Sequence, residues 1–85
     1  MKIHYLTWLR NRLGKPQETI NLPANTSDLP GLITYLSSQG DNYAAVFSDM
    51  THIKISINGQ VIEYDAPVTI HNDDTVSFFS PMAGG

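Results

Sequence analysis

The sequence predicts an α+β fold, in which one main helix covers one face of a mixed sheet. Five short segments carry strand-like patterns, in the order strand, strand, helix, strand, strand, strand. A single segment has a long one-sided helical stripe with spacing i, i+3, i+4 and i+7. The members of this stripe are Leu29, Leu32, Ile33 and Leu36. Only this helix has enough apolar surface to cover the sheet.

The first part of the chain predicts a hairpin of two strands. Residues 2–8 alternate, with Ile3 and Tyr5 on one face, as is typical of a strand. A single helical turn follows and ends at Gly14, because glycine favours the residue after a helix. Residues 17–22 alternate again and form the second strand, with Glu18, Ile20 and Leu22 on one face.

Residues 26–39 predict the main helix. Thr26 or Ser27 can cap its N-terminus, and Gly40 ends it. Asp41 can begin a short second helix that buries some of the apolar residues that follow. These residues are Tyr43, Ala44, Val46 and Phe47.

The second half predicts three more strands. Residues 52–58 alternate with Ile53, Ile55 and Ile57 inward, and Asn58-Gly59 is a strong hairpin signal before the strand at residues 60–64. A turn at residues 72–74 precedes the last strand at residues 75–80.

This element order is compatible with a ubiquitin-like β-grasp. That architecture requires the first and last strands to pair in parallel at the centre of the sheet, which the order allows but does not prove. A ferredoxin-like fold needs a second long helix, and residues 41–48 are too short for one. We expect one β-grasp domain over residues 1–85, with a globular body over 1–80 and a flexible tail over 81–85.

The composition excludes several classes of function. The chain has 85 residues, of which 41% are hydrophobic and 15% charged, which suits one folded domain. It has no cysteine for a disulfide, a thiolate metal site or a cysteine nucleophile. A net charge of -3 disfavours a nucleic-acid partner, and no apolar run approaches the ~20 residues of a membrane span. Without a signal peptide pattern, the protein is expected in the cytoplasm.

The charges are distributed unevenly along the chain. Lys54 is the last cation, and four carboxylates follow it. They are Glu63, Asp65, Asp73 and Asp74. The C-terminal third is therefore predicted to form an acidic surface, which suits either a basic partner or solubility alone.

No arrangement of side chains predicts an active site or a metal site. The single histidines at positions 4, 52 and 71 lack the spacing of metal ligands. Asp73 and Asp74 form a carboxylate pair, but an Asn-Asp-Asp sequence is better explained as a turn. The chain has no glycine-rich phosphate loop. An enzyme that works alone is therefore not predicted.

The C-terminus is the exception, because Gly84-Gly85 follows closely on the last predicted strand. Without side chains, these glycines can pass through a slot too narrow for any other residue. The residues after Ser80 reach at most ~17 Å when extended, enough to carry a terminal carboxylate into a partner's buried site. The alternative is a frayed end that happens to be Gly-Gly, and the preceding β-grasp strand argues against it.

The last residues, DTVSFFSPMAGG, resemble the end of the small subunits of molybdopterin synthase, a sulfur-carrier family with the ubiquitin-like β-grasp. That family typically ends in an acidic turn, a short apolar strand with Phe-Phe, one or two prolines, and Gly-Gly. The segments LRNRLG and ISINGQVI and the single amphipathic helix match it in shape. Ser80 departs from the pattern, since close relatives often carry proline there, and this leaves the tail slightly freer.

The resemblance implies that Gly85 is the reacting residue. In the family, an adenylating enzyme related to ubiquitin-activating enzymes uses ATP and Mg to activate the terminal glycine, and sulfur then replaces one oxygen to give a thiocarboxylate. The tail inserts into the large catalytic subunit and donates sulfur to a pterin precursor of the molybdenum cofactor. The inserting residues are Pro81, Met82, Ala83 and Gly84. Such a carrier binds no cofactor or metal and needs no catalytic side chain, so whether it counts as an enzyme stays open.

Three apolar residues on outward strand faces predict a docking surface. They are Leu6, Val61 and Phe79. Removing such a side chain from water is worth roughly 1.5–3 kcal/mol, so exposure suggests a covering partner. If the first and last strands are adjacent, Leu6 and Phe79 form one patch at the base of the tail, and Trp8 either joins it or lies under the helical turn. The resemblance implies that the large subunit and the activating enzyme both dock here, and the alternative is the isolated exposure common in proteins.

Two alternatives to a carrier of the molybdenum pathway stay open. The first is a sulfur carrier for thiamine or another thiolated product, or a protein modifier attached to lysines. Thiamine carriers are typically shorter between the helix and the third strand, so residues 41–51 favour the molybdenum pathway. The second is a β-grasp interaction module without a catalytic role, in which the Gly-Gly is incidental.

Overall fold

A computed structural model describes residues 1–80, and the predicted flexible tail at residues 81–85 lies outside this range. The described part contains five strands, β1 (Lys2–Tyr5), β2 (Gln17–Thr19), β3 (Lys54–Ile57), β4 (Gln60–Ile62) and β5 (Thr75–Phe79). They form one sheet in the order β2-β1-β5-β3-β4.

The centre of the sheet is a parallel pair made by β1 and β5. Ile3 lies opposite Val76, and Tyr5 lies opposite Phe78. The other neighbouring strands of the described sheet pair antiparallel. Because a central parallel pair of first and last strands is what a β-grasp requires, the predicted ubiquitin-like β-grasp is confirmed.

Helices cover the inner face of the sheet more widely than predicted. Within residues 1–80 they are α1 (Trp8–Leu13), α2 (Leu29–Ser37), α3 (Asp41–Phe47) and a 3₁₀ turn at Met50–His52. The longest, α2, buries the whole predicted stripe. The cover is completed by Leu9 and Leu13 of α1 and by Tyr43, Val46 and Phe47 of α3, whereas Ala44 is exposed.

The N-terminus of α2 lies later than the sequence suggested. The Asp28 carboxylate accepts a hydrogen bond from the Gly31 N–H at 2.9 Å, so Asp28 is the cap and the prediction of Thr26 or Ser27 was wrong. Pro30 explains the shift. With Thr26 as cap, Pro30 would have to donate the first intrahelical hydrogen bond, which proline cannot do. With Ser27 as cap, Pro30 would occupy N3, one of the two positions whose N–H can bond to the capping side chain, and proline has no N–H to donate.

Positive φ angles mark three of the chain reversals. β1 ends at Tyr5 rather than at residue 8, because Thr7 has a φ of 58° and turns the chain into α1. Gly14, with a φ of 75°, closes α1 as predicted. Asn58 and Gly59, with φ values of 51° and 87°, form the predicted hairpin turn between β3 and β4.

The core lies between the inner face of the sheet and the helices. Its fully buried members from the sheet are Ile3, Tyr5, Ile55, Val76 and Phe78. The Phe78 ring packs 6.1 Å from the Tyr5 ring and 5.1 Å from the Phe47 ring, measured between centroids. β5 is therefore anchored by its own side chains up to the point where it leads into the tail. No helix among residues 1–80 has the length and apolar character to span a membrane.

Candidate functional site

The candidate site is the end of the sheet at which β5 stops and the chain continues toward residues 81–85. The predicted tail residues Pro81, Met82, Ala83, Gly84 and Gly85 lie outside the described residues. Ser80, the last described residue, is only 7% exposed. Its N–H donates a hydrogen bond to the Thr7 hydroxyl at 3.3 Å. The chain is thus held by packing and hydrogen bonding up to its last described residue.

Leu6 and Phe79 are neighbours on the outer face at this end of the sheet. The register pairs Tyr5 with Phe78, so the next positions along the two strands are Leu6 and Phe79. The pairing continues there, because the Leu6 N–H donates to the Phe78 carbonyl at 3.0 Å. Leu6 is 46% exposed and Phe79 is half-buried. The predicted patch at the base of the tail, here called the tail-end patch and defined as Leu6 and Phe79, is therefore formed.

Val61, the third residue of the predicted interface, lies apart from the tail-end patch. It is 60% exposed and pairs with Ser56 of β3. Two strand spacings, roughly 10 Å, separate β4 from β5. Lys54 occupies the intervening strand opposite Phe79. The outer face therefore has two separate apolar sites, the tail-end patch and Val61, with Lys54 on the strand between them. That a partner covers these sites stays a prediction.

Two aromatic side chains, Trp8 and Tyr64, are also exposed. Trp8 opens α1 and is 36% exposed, so it is not buried beneath that helix. Tyr64 is 37% exposed, and sequence reasoning did not single it out. The predicted strand over residues 60–64 ends at Ile62, because a turn closed by a hydrogen bond follows at residues 63–66. The Asp-Ala-Pro sequence at this turn is the signal that could have shown it.

Three of the four C-terminal carboxylates are divided between the two ends of the sheet, and an acidic surface that serves a partner stays a prediction. β4 runs toward the tail end of the sheet and places Glu63 there, whereas Asp73 and Asp74 precede β5 at the opposite end. The Asp74 carboxylate accepts hydrogen bonds from the Asn58 side chain at 3.0 Å and the His71 N–H at 2.8 Å. These two hydrogen bonds lower the pKa of Asp74 below its ordinary value, and the bond from Asn58 makes the larger contribution. Asp74 therefore serves the turn, as its sequence indicated.

Similarity to known proteins assigns the family. The ThiS family model matches residues 3–85. The chain belongs to the ThiS family. A putative molybdopterin converting factor, subunit 1, from Pyrococcus furiosus has the same fold, with a TM-score of 0.72 and 21% identity over 95% of each chain. No curated protein matches the sequence significantly.

Membership of the ThiS family confirms the resemblance to sulfur carriers indicated by the last residues of the sequence. The match runs through Gly84 and Gly85, on which that resemblance depends most. The protein is thus a ThiS-family sulfur carrier with a β-grasp fold like that of a molybdopterin converting factor subunit.

The histidines of this ThiS-family protein lie apart from one another. His4 is on the outer face of β1, and His52 ends the 3₁₀ turn. The His71 imidazole lies 3.7 Å from the Asp74 carboxylate. No three His, Asp or Glu side chains in the described range converge as a metal site would require.

A group of polar side chains around Glu18, here called the Glu18 cluster, connects β2 to the core, and the sequence analysis did not predict it. Glu18 accepts hydrogen bonds from the Tyr5 hydroxyl at 2.6 Å and the Tyr43 hydroxyl at 2.8 Å, and the Lys15 ammonium lies 3.6 Å away. Burial raises the pKa of both tyrosines, and the carboxylate adds to the shift. Both hydroxyls therefore remain donors, and the cluster links β1, β2 and α3. The signal was Glu18 itself, a charge on the apolar face that it shares with Ile20.

Proposed function

We propose that this ThiS-family protein is the sulfur carrier subunit of molybdopterin synthase. The observation that carries the proposal is the position of β5. This strand lies at the centre of the β-grasp, ends beside the tail-end patch, and leads within a few residues to Gly84-Gly85. A carrier needs this arrangement, because its working group must leave a packed domain and enter the site of a docked partner.

The chemistry of the proposal takes place at Gly85. A terminal carboxylate has an ordinary pKa of about 3.5, so it is ionised at neutral pH and resists nucleophiles. The activating partner, an adenylating enzyme similar to ubiquitin-activating enzymes, transfers AMP from ATP to this carboxylate with Mg and releases pyrophosphate. A sulfide equivalent supplied by a partner then displaces AMP and leaves a thiocarboxylate. A cytoplasmic location, where ATP is available, is part of the proposal.

The large catalytic subunit is the second proposed partner. It takes up residues 81–85 and positions the thiocarboxylate against a pterin precursor, which receives the sulfur. The tail-end patch lies beside the point of exit, so docking on it brings the tail to the mouth of the partner's site. Leu6 is 46% exposed and Val61 is 60% exposed. If a partner buries the exposed part of each side chain, the binding free energy becomes more favourable by about 1 kcal/mol per residue.

Two observations favour the molybdenum pathway over thiamine. The segment at residues 41–51, which is typically shorter in thiamine carriers, contains helix α3 and most of the 3₁₀ turn. The solved structure with the same fold carries the name of a molybdopterin converting factor subunit.

The test is the intact mass of the protein after incubation with its activating enzyme, ATP, Mg and a sulfur donor. We expect the mass to rise by one oxygen-to-sulfur exchange. Deletion of Gly85 should abolish this change while the circular dichroism spectrum stays that of the parent protein. If only the plain carboxylate is seen under these conditions, the proposed thiocarboxylate chemistry at Gly85 is wrong.

Capture of the docked partner then identifies the pathway. A pterin-binding synthase subunit supports the proposal, whereas a thiazole-forming enzyme or isopeptide-linked targets would replace it with one of the alternatives. Full function after one residue is appended to Gly85, without trimming, would instead indicate a plain interaction module.

A further inference from the structure

Thr7 has a backbone conformation that a threonine rarely adopts. Its φ is 58° and its ψ is -134°, in a region that favours glycine and is unfavourable for a β-branched side chain. Within the described residues, Asn58 is the other non-glycine residue with a positive φ, and asparagine tolerates it in a hairpin turn. A strained conformation persists only where the surrounding structure holds it, and such residues often serve a function.

Thr7 lies where the ladder between β1 and β5 would make its next hydrogen bond. In a parallel pair, the N–H and C=O of one residue bond to the two residues that flank its partner. The register that pairs Tyr5 with Phe78 continues to Leu6 and Phe79, because the Leu6 N–H donates to the Phe78 carbonyl at 3.0 Å. The next bond of a regular ladder would join the Ser80 N–H to the Leu6 carbonyl.

The Thr7 hydroxyl bridges these two groups. The Ser80 N–H donates to Thr7 Oγ1 at 3.3 Å, and the Thr7 hydroxyl donates to the Leu6 carbonyl at 2.6 Å. The side chain thus extends the β1–β5 pairing by one step, although the backbone of β1 has already turned toward α1. Serine and threonine have the short hydroxyl side chain that can both accept and donate in such a position.

We propose that Thr7 is a positioning residue for the tail, because its hydroxyl bridge fixes the direction in which the chain leaves β5 at Ser80. That direction sets how residues 81–85 reach the activating partner. The inference rests on the proposed function, since it assigns the effect to the activation of Gly85. Thr7 touches no reacting atom, so it influences the turnover of the docked complex through orientation. Docking through the tail-end patch is left unchanged.

The test compares Thr7→Val, Thr7→Gly and Thr7→Ser in the full chain. The first two variants remove the hydroxyl, one retaining the β-branch and the other relieving the backbone, whereas serine retains the hydroxyl. Thr34→Val is the matched control, because the Thr34 hydroxyl also donates to a backbone carbonyl, that of Pro30 at 3.0 Å on α2. The measurements are thermal unfolding, hydrogen exchange of the Ser80 amide by NMR, and kcat and KM for adenylation by ATP–pyrophosphate exchange.

We expect the valine and glycine variants to exchange the Ser80 amide faster and to lose roughly 2- to 10-fold in kcat, as for one hydrogen bond, with KM unchanged. The serine variant and Thr34→Val should behave like the parent protein. The kcat values should then depend on whether the hydroxyl is present and should not follow the melting temperatures of the variants. If Thr7 had only a structural role, kcat would follow the melting temperatures instead.

The outcomes separate the inference from the proposed function. If the parent protein is adenylated and the valine and glycine variants keep its kcat, or if their Ser80 exchange is unchanged, the inference is overturned and the carrier function stands. If the parent protein itself is not adenylated, the proposed function is overturned and the inference falls with it.

Discussion

Replacing Tyr5 with phenylalanine removes one hydroxyl from the core and leaves the ring in place. That hydroxyl donates to the Glu18 carboxylate at 2.6 Å, and the Tyr5 side chain is 1% exposed. The phenylalanine ring keeps the packing against Phe78, whose centroid lies 6.1 Å away. The change in stability therefore reports the hydrogen bond rather than a cavity.

The size of the effect follows from what remains around Glu18. A hydrogen bond to a charged group contributes about 1.5–3 kcal/mol net. Glu18 retains the Tyr43 hydroxyl at 2.8 Å and Lys15 at 3.6 Å, and its side chain is 22% exposed, so water reaches it. We therefore expect the low end of the range, a loss of about 1.5 kcal/mol in the free energy of unfolding. For a domain of this size, the melting temperature falls by roughly 6–12 °C.

The assay is urea unfolding followed by circular dichroism, with an unchanged m-value as the sign that only stability has changed. Tyr64→Phe is the matched control, because Tyr64 is 37% exposed and its hydroxyl has no hydrogen bond within the described part of the chain. This control should change the free energy of unfolding by less than about 0.5 kcal/mol. A Tyr5→Phe effect as small as that of the control would refute the stabilising role of the Glu18 cluster.

Two further substitutions test the cap of α2 and the turn before β5. Asp28→Ala removes the acceptor of the Gly31 N–H and should cost about 1 kcal/mol in urea unfolding, against less than about 0.5 kcal/mol for Ser27→Ala; equal losses would mean that Asp28 is not the cap. The pKa of Asp74 is lowered in the folded state, so its carboxylate stabilises the fold above about pH 4 and this contribution is lost as the pH falls further. The urea midpoint should therefore fall less between about pH 7 and about pH 3 for Asp74→Asn than for the parent protein. Asp73→Asn is the control and should behave like the parent protein. The same decrease in all three proteins would contradict the stabilising role of the Asp74 carboxylate.

Local patterns were sufficient where a structural feature depends on residues close together in the chain. The stripe of α2, the glycine that ends α1 and the Asn58-Gly59 turn all formed as predicted. The cap of α2 was misplaced, although it is equally local. The two predicted caps, Thr26 and Ser27, do not cap the helix; Asp28 does, at the position that suits a proline without a backbone N–H at residue 30.

The candidate site was predictable only in part. The neighbourhood of Leu6 and Phe79 followed once the first and last strands were assumed to be adjacent, and the structure has them adjacent. The separation of Val61 from this patch depends on strand order, because β3 lies between β4 and β5. The same order, with the alternating strand directions, sends Glu63 and Asp74 to opposite ends of the sheet.

By itself, the sequence predicted the main helices and strands, the turns at Gly14 and Asn58-Gly59, and, through its last residues, a resemblance that the family match confirmed. Only the tertiary structure decided which distant side chains meet, as in the Glu18 cluster and in the bridge from Thr7 to Ser80. Periodicity reports which face of a strand or helix is buried. The contact that a buried group makes depends on strand order, direction and register, which are set by the packing of the whole domain.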